Sequence, residues 1–186
     1  MSHTCPWWFG YFLLNPLRRF AQRPERILRP FVRPGMLVLE PGCGMGFFTL
    51  DLARMVAPGG RVVAIDLQEK MLAGLRQRAA RAGLEERIDI RLAQPDRLGI
   101  DDLNGQVDLV LAFYVVHEIR EPGAFFAEIA AALKPNGAVL IVEPPLHVSR
   151  AGFEASLAVA ERAGLRVARR PRIGPNKVAL LAKSGP

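Results

Sequence analysis

The sequence predicts a doubly wound α/β fold, in which helices cover both faces of a seven-stranded, mostly parallel sheet. Three observations indicate this fold. Apolar runs alternate with helical patterns from Met36 onward, the runs are rich in Val, Ile and Leu, and the chain finishes with an antiparallel hairpin pattern. The chain has 186 residues, of which 50% are hydrophobic, so it is long enough for one domain with a sizeable core.

Five apolar runs predict the parallel strands, because little alternation is typical of strands that are buried on both faces. These runs are residues 36–40, 61–65, 88–92, 107–113 and 138–143. Helices are predicted between them, over residues 47–56, over 68–82 with Gly83 closing the helix, and over 122–133. The segment 94–106 is polar and only weakly helical.

The last part of the chain predicts a helix followed by a hairpin. Ser149 is a suitable N-cap for a helix that runs to about Ala163 and is closed by Gly164. Residues 165–173, a Gly-Pro-Asn turn and residues 177–183 then follow directly, with no room for a crossover helix. Two strands joined by so short a turn must be antiparallel.

The net charge of +7 is spread unevenly along the chain. Residues 1–35 carry +5, residues 36–146 carry −4, and residues 147–186 carry +6. Basic ends around an acidic centre suggest an anionic substrate or surface near the ends, although an arginine-rich solubilising surface gives the same pattern.

Composition also bears on the compartment. No apolar run approaches the roughly 18 residues of a membrane span, and no secretory signal is predicted. Cys5 and Cys43 are the only cysteines, and two cysteines do not make a disulfide framework. A cytoplasmic protein is therefore expected.

A glycine-rich loop follows the first predicted strand, in the order Glu40-x-Gly42-x-Gly44-x-Gly46. It is not the dinucleotide fingerprint, because Phe47 stands where the third glycine is required. It is not a P-loop either, because no Gly-Lys-Ser/Thr follows. Three glycines together indicate close approach of a ligand to the backbone. The acid before them disfavours a pyrophosphate and favours a ligand with a positive charge.

The segments "VLEPGCGMG" and "VVAIDLQEKML", followed by the terminal hairpin, resemble the class I S-adenosylmethionine-dependent methyltransferases over residues 36–183. The resemblance implies a Rossmann-like fold, S-adenosyl-L-methionine as cofactor and S-adenosyl-L-homocysteine as product. It assigns the acid and loop backbone to the methionine part, Asp66 to the ribose, and Leu67 to one face of the adenine. The expected cofactor-binding residues are Glu40, Gly42, Cys43, Gly44, Gly46, Asp66, Leu67 and Gln94.

The adenine motif departs from the family. An acid usually follows the third strand there, whereas this chain has Gln94 and then Pro95, which has no backbone N–H. A glutamine amide offers both donors and an acceptor, so Gln94 can meet the adenine ring, or it simply caps a loop. Cys43 is also interpreted as a small apolar residue that packs within the loop.

The expected catalytic residues follow the fourth strand. The family members that methylate amide-like nitrogens resemble one another in an Asn/Asp-Pro-Pro-aromatic loop, where this chain has residues 113–116, Phe-Tyr-Val-Val. Methylation of DNA adenine or of cytosine N4 is therefore disfavoured. Tyr114 and His117 lie past the strand end, where ligands of such sheets bind. His117 is either a base for the acceptor or a structural residue that orients the turn together with Glu118.

Glu118, Glu143 and His147 are candidate metal ligands. No metal is predicted, because the chain does not reproduce the metal ligands of catechol-type methyltransferases. The expected activity is methyl transfer to a small-molecule O, N, S or C nucleophile, lipophilic or anionic. One alternative is an RNA methyltransferase, because the basic ends of the chain would attract RNA. The other alternative is a non-catalytic S-adenosylmethionine-binding subunit. The sequence does not specify an oligomeric state.

Residues 1–35 are expected to form lid or cap helices, and residues 36–186 the S-adenosylmethionine-binding methyltransferase domain. Pro24 is predicted to begin a short helix. The amino-terminal aromatics predict a lid over the cofactor cleft. The alternative is peripheral contact with a membrane or a lipophilic acceptor, with arginines facing anionic headgroups. The aromatics are Trp7, Trp8, Phe9, Tyr11 and Phe12, and the arginines are Arg18, Arg19, Arg23 and Arg26.

Overall fold

A computed structural model of the chain describes residues 22–184. The strands are β1 (Leu37–Pro41), β2 (Arg61–Asp66), β3 (Ile88–Leu92), β4 (Val107–Phe113), β5 (Leu133–Glu143), β6 (Leu165–Arg169) and β7 (Lys177–Lys183). The α-helices are α1 (Pro24–Leu28), α2 (Thr49–Met55), α3 (Glu69–Ala82), α4 (Pro122–Ala132) and α5 (Arg150–Arg162). The sheet has seven strands in the order β3-β2-β1-β4-β5-β7-β6.

The pairing of the strands confirms the predicted fold class. Strand β2 runs parallel to β1 and β3, and β4 runs parallel to β5. Strand β7 is antiparallel to both β5 and β6, as the short Gly-Pro-Asn turn predicts. The chain divides into two compact units, of which the first ends at Ala93 and the second begins at Gln94.

The first unit contains β1, β2 and β3 with helices α1 to α3. Every residue of β1 is buried, and so are the four middle residues of β2, which explains the apolar sequences Leu37–Leu39 and Val62–Ile65. Helix α3 buries the side chains at helical spacing that face the core, and Gly83 closes it as predicted. Those buried side chains are Met71, Leu72, Leu75 and Ala79. Helix α1 begins at Pro24, also as predicted.

The second unit contains β4 to β7 with α4 and α5. Strand β5 begins at Leu133, five residues before the predicted start at residue 138. The register explains the difference: Val107 lies opposite Leu133, whereas Leu109 lies opposite Ala138, so an irregularity absorbs the residues between them. Pro135 and Gly137 therefore lie within a distorted strand, after the end of α4.

The connections agree with the weaker sequence signals. Residues 94–106 contain a 3₁₀ turn over Asp101–Leu103 and no α-helix. The Ser149 hydroxyl accepts a 2.9 Å hydrogen bond from the Gly152 N–H and caps α5 as predicted. Within residues 22–184, no helix is long and apolar enough to span a membrane.

Most of the predictions for the amino-terminal segment concern residues that the structure does not describe. Residues 1–21 lie outside the described residues, and with them the aromatic group from Trp7 to Phe12, together with Arg18 and Arg19. The division into a lid over residues 1–35 and a domain over 36–186 stays a prediction.

Candidate functional site

The glycine loop joins β1 to α2 through three left-handed backbone positions. Gly42, Gly44 and Gly46 have φ of 70°, 54° and 81°, a region that residues with a Cβ avoid. Strand β1 therefore ends in a sharp turn, and α2 begins at Thr49 rather than at the predicted residue 47.

The glycines at 44 and 46 have different surroundings. A Cβ on Gly46 would lie 2.4 Å from Cδ1 of Leu75, so this glycine allows α3 to pack against the loop. For Gly44, no atom of the described residues beyond its chain neighbours lies within 4 Å of such a Cβ. The loop therefore has a closed side at Gly46 and an open side at Gly44.

Arg78 of α3 holds the loop through its carbonyl groups. Its Nη1 donates to the carbonyl oxygen of Met45 and, at 2.9 Å, to that of Gly46. Sequence reasoning missed this residue. The one available signal is that Arg78 lies three and seven residues after Leu75 and Met71, on the buried face of the helix.

Asp66 at the end of β2 accepts hydrogen bonds from two backbone N–H groups. Its Oδ2 accepts from Gly44 and its Oδ1 from Gln68, each at 2.9 Å. Partial burial raises the pKa of the Asp66 carboxyl, although these backbone hydrogen bonds oppose the shift. A carboxylate has about four lone-pair sites, so each oxygen keeps acceptor capacity for a further donor such as a hydroxyl. The next residue, Leu67, is 44% exposed.

Glu40 is the buried acid of the site, with 4% of its surface exposed. Its Oε2 accepts a 2.6 Å hydrogen bond from the Thr49 hydroxyl. Burial raises the pKa of Glu40 from 4.5 to about 8, the Thr49 contact opposes the shift, and the charge of Asp66 adds to it. A neighbouring cation would stabilise the ionised form of this carboxyl, so the residue suits a positively charged ligand group.

Cys43 and Gln94 occupy contrasting positions. The Cys43 thiol is buried, and burial raises its pKa, as expected for an unreactive, packed side chain. The Cys43 N–H donates to the Ile65 carbonyl at 3.0 Å, which ties the loop to β2. Gln94 is exposed, and its backbone N–H donates to the Arg97 carbonyl at 3.1 Å. Its side chain is thus presented at the surface in the turn after β3.

The second unit places Tyr114 directly after β4 in a strained conformation. Its φ is 59°, the left-handed region, where a bulky residue is unfavourable and often marks a functional position. The phenol donates a 2.7 Å hydrogen bond to Oδ1 of Asn176 in the hairpin turn, and the Tyr114 N–H donates to the Val142 carbonyl at 2.8 Å. The sequence indicated the turn but not this role of Asn176.

His117 contacts a different acid from its sequence neighbour. Its Nδ1 is hydrogen-bonded to Oε2 of Glu143, whereas Nε2 lies 4.0 Å from the nearest oxygen of Glu118. Glu143 is 1% exposed, and its Oε1 accepts a 2.9 Å hydrogen bond from the Val116 N–H. The Glu143 contact raises the pKa of His117, partial burial opposes this, and the charges of both acids add to it.

The His117–Glu143 pair resembles a base with its orienting carboxylate. When the imidazole is neutral, the contact holds the proton on Nδ1 and leaves Nε2 as the acceptor. The His117 side chain is 29% exposed. His147, a candidate metal ligand from the sequence, is exposed in the loop after β5. Within residues 22–184, no group of three or more His, Cys, Asp or Glu side chains is placed to hold a metal.

Comparison with known proteins identifies the family. Residues 39–141, more than half of the chain, match the family model described as a methyltransferase domain. The chain is 30% identical over 153 residues to a demethylmenaquinone methyltransferase of Lactococcus lactis, covering 77% of this chain and 59% of that protein. It is 34% identical over 138 residues to a ubiquinone biosynthesis O-methyltransferase of Caulobacter vibrioides, covering 69% and 52%.

A solved structure agrees with these relatives. A SAM-dependent methyltransferase from Aquifex aeolicus has a TM-score of 0.84 and 27% sequence identity, covering 96% of this chain and 98% of that one. The chain spans about half the length of the curated relatives it matches. Taken with the glycine loop and the acids that end β1 and β2, these likenesses show that the chain belongs to the class I S-adenosylmethionine-dependent methyltransferases, whose cofactor is S-adenosyl-L-methionine.

Proposed function

We propose that the chain transfers the methyl group of S-adenosyl-L-methionine to a small-molecule acceptor and releases S-adenosyl-L-homocysteine. The observation that carries the proposal is the hydrogen bond from the Gly44 N–H to Asp66, which joins the glycine loop to the acid at the end of β2. The family match and the relatives named as methyltransferases support the activity.

The buried acid of the first unit supports binding of the methionine part. A carboxyl with a pKa of about 8 is largely protonated near neutral pH, and a ligand ammonium favours its ionised form. Glu40 is therefore proposed to face the cofactor's charged end, while the loop backbone of Gly42, Cys43, Gly44 and Gly46 lies beneath the methionine portion. The open side of Gly44 leaves space for it.

The remaining cofactor contacts follow from the ends of β2 and β3. Asp66 keeps acceptor capacity on both oxygens, which suits the two ribose hydroxyls. The exposed Leu67 is proposed to cover one face of the adenine, and the exposed Gln94 amide to meet its edge. When bound, the cofactor supplies an electrophilic methyl group on a sulfonium.

The second unit is proposed to act on the acceptor. Glu143 holds the Nδ1 side of His117, so that Nε2 accepts a proton from an acceptor hydroxyl, amine or thiol. Tyr114 is held by its bond to Asn176 and is proposed to contact the acceptor. In doubly wound sheets, ligands bind outside the carboxyl ends of the strands, and both residues follow the end of β4.

The relatives suggest an acceptor class. The names of the two curated relatives refer to demethylmenaquinone and to ubiquinone biosynthesis. We therefore propose a quinone-like acceptor, methylated on a ring hydroxyl or a ring carbon, for this chain as well.

The test is release of S-adenosyl-L-homocysteine from the full chain with a panel of ring hydroxyl and quinol acceptors, and with RNA as a separate arm. We expect His117→Asn to lower kcat/KM by about a hundredfold or more, because a positioned base contributes at least that much. The matched control is His147→Asn, the other histidine within residues 22–184. Cofactor affinity is expected to be unchanged in both variants.

Three outcomes would contradict parts of the proposal. Turnover with RNA alone would indicate an RNA methyltransferase. Cofactor binding without turnover on any acceptor would indicate a non-catalytic subunit. Equal activity of the His117→Asn and His147→Asn variants would show that the enzyme works by positioning its substrates without a base.

A further inference from the structure

The second unit contains a cleft that is lined by none of the residues proposed to bind the cofactor or to act on the acceptor. Its volume is about 490 Å³, within the range of small-molecule sites. It is formed between α5 and the β6–β7 hairpin, and its lining residues are Arg150, Phe153, Glu154, Arg170, Lys177 and Val178.

The lining combines an apolar base with an excess of positive charge. Phe153 and Val178 are 2% and 6% exposed and supply the apolar surface. Three of the lining residues are cations and one is an acid. Glu154 forms a two-pronged ion pair with Arg170, at 2.8 and 2.7 Å, so one positive charge is already matched. Arg150 and Lys177 are the two remaining cations of the lining, and Arg150 also interacts with Glu154 through its charge.

The position of Arg150 is unfavourable for the helix itself. It is the first residue of α5, a helix of 13 residues whose first turn contains no acid. A cation there lies beside the positive end of the helix dipole, where acids are preferred. Helix stability therefore does not explain this arginine. An anion in the cleft would interact favourably with both Arg150 and the helix end.

Lys177 connects the cleft to the proposed acceptor site. It begins β7, lies opposite Glu143 in the sheet, and its Nζ donates to the Pro145 carbonyl at 3.1 Å. The Glu143 carboxylate is itself engaged with His117 and the Val116 N–H. The cleft thus includes the strand partner of the acid that holds His117. One further acid, Glu161, acts on Arg170 through its charge.

We propose that this cleft binds an anionic group of the methyl acceptor, so that the quinone-like acceptor carries a carboxylate or phosphate that meets Arg150 and Lys177, while its apolar ring lies on Phe153 and Val178. The proposal rests on the proposed methyl transfer for the identity of the ligand as the acceptor. The cleft's affinity for an organic acid stands independently of it.

The test is calorimetric titration of the full chain with three probes: benzoate, phenyl phosphate and inorganic phosphate. The first two distinguish a carboxylate from a phosphate, and the third lacks the apolar body. We expect an aromatic acid to bind more tightly than inorganic phosphate. Arg150→Gln and Lys177→Gln should each weaken its binding by about tenfold, the effect of losing one charge-assisted hydrogen bond.

Two further variants make the test specific. Arg162→Gln is the matched control, because Arg162 is exposed at the other end of the same helix, outside the cleft. Glu154→Gln should tighten binding, since it removes the acid and releases Arg170 from its ion pair. The thermal transition of Arg150→Gln should be equal to or above that of the unchanged chain.

Several results would overturn the inference. Equal losses for Arg150→Gln and Arg162→Gln would indicate general charge attraction, and a short RNA that binds through these residues while the acids do not would indicate a nucleic-acid surface. Titration with S-adenosyl-L-methionine separates the two proposals. If the cofactor binds but no acid does, the cleft inference fails alone. If the acids bind and the cofactor does not, the proposed function fails.

Discussion

Two carboxyl groups of the first unit are held differently, and the difference sets what each can do. Asp66 accepts backbone N–H groups on both oxygens, which stabilise its charge, whereas Glu40 accepts one hydroxyl in a buried setting. Burial raises the pKa of both groups, that of Glu40 to about 8. Glu40 is therefore the group whose ionisation we expect cofactor binding to change.

Cofactor affinity should rise with pH because of Glu40. Without ligand the pKa is about 8, so binding of the ammonium near neutral pH requires the carboxyl to release a proton. We expect affinity to increase by up to about tenfold per pH unit between about pH 6 and about pH 8, where the gain ends as the carboxyl becomes ionised. Calorimetry in buffers of different ionisation enthalpy should detect the released proton, and Glu40→Gln should abolish it.

The same shift predicts how the unliganded protein responds to pH. The folded pKa of about 8 lies above the ordinary value of 4.5, so the folded state retains a proton that the unfolded chain releases. This contribution makes the free energy of unfolding fall as the pH rises from 4.5 to about 8. Urea denaturation at several pH values should show that the free energy of unfolding depends less on pH in Glu40→Gln than in the unchanged chain. An unchanged dependence on pH would contradict the assignment.

Asp66 supports both the loop and the ligand. Replacing it with Ala removes the acceptors of Gly44 and Gln68 as well as those proposed for the ribose. We expect S-adenosyl-L-methionine affinity to fall by about ten- to a hundredfold, as for the loss of hydrogen bonds to a charged acceptor. Calorimetry on folded variants measures it, with Asp96→Ala, an exposed turn residue, as the control. Equal affinity of the two variants would remove Asp66 from the site.

At the scale of elements, helix α3 fixes the shape of the glycine loop from one side. Leu75 fills the space that a side chain on Gly46 would need, and Arg78 donates to two successive loop carbonyls. The loop is therefore braced on the side of α3 and open at Gly44. A loop held in this way is ordered before the ligand arrives, which reduces the entropy lost on binding.

Removal of the Arg78 brace should weaken cofactor binding. We expect Arg78→Met to keep the apolar stem of the side chain, lose both hydrogen bonds, and lower S-adenosyl-L-methionine affinity by about tenfold. Hydrogen exchange at Gly44 and Gly46 should become faster in the same variant. Arg76→Met, which loses only an exposed ion pair with Glu69 on the same helix, is the matched control. Equal exchange in both variants would argue against the brace.

At the scale of the whole molecule, the role of the amino-terminal segment as a lid or as a membrane contact is the largest remaining prediction. If it is a lid, deleting residues 1–14 should weaken cofactor binding in the absence of any lipid. If it is an interfacial helix, the intact chain should bind anionic vesicles in a salt-dependent way, with each arginine near the surface contributing about 1 kcal/mol.

We expect the lid. Calorimetry of the deleted and intact chains, together with vesicle co-sedimentation, separates the two outcomes. Co-sedimentation of the intact chain, combined with unchanged cofactor affinity after the deletion, would show that the segment is a membrane contact.

The sequence by itself determined the features that depend on local chemistry. Burial on both faces requires a continuous apolar run, so the run at 107–113 matches β4 in full, with six of its seven residues buried. The run at 88–92 also matches β3 in full, although only Ile88 of this edge strand is buried. Left-handed backbone positions favour glycine, so the sequence indicated the loop after β1, as it indicated the acid that closes β2.

Only the tertiary structure decided which distant groups meet. The sequence offered Glu118 as the neighbour of His117, yet the imidazole pairs with Glu143, 26 residues further along the chain. Parallel pairing of β4 with β5 brings these strand ends together, and residue spacing does not encode that pairing. Arg78 and the basic cleft follow the same rule. Each depends on side chains from separate elements, whose approach is set by packing of the whole sheet and its helices rather than by local sequence.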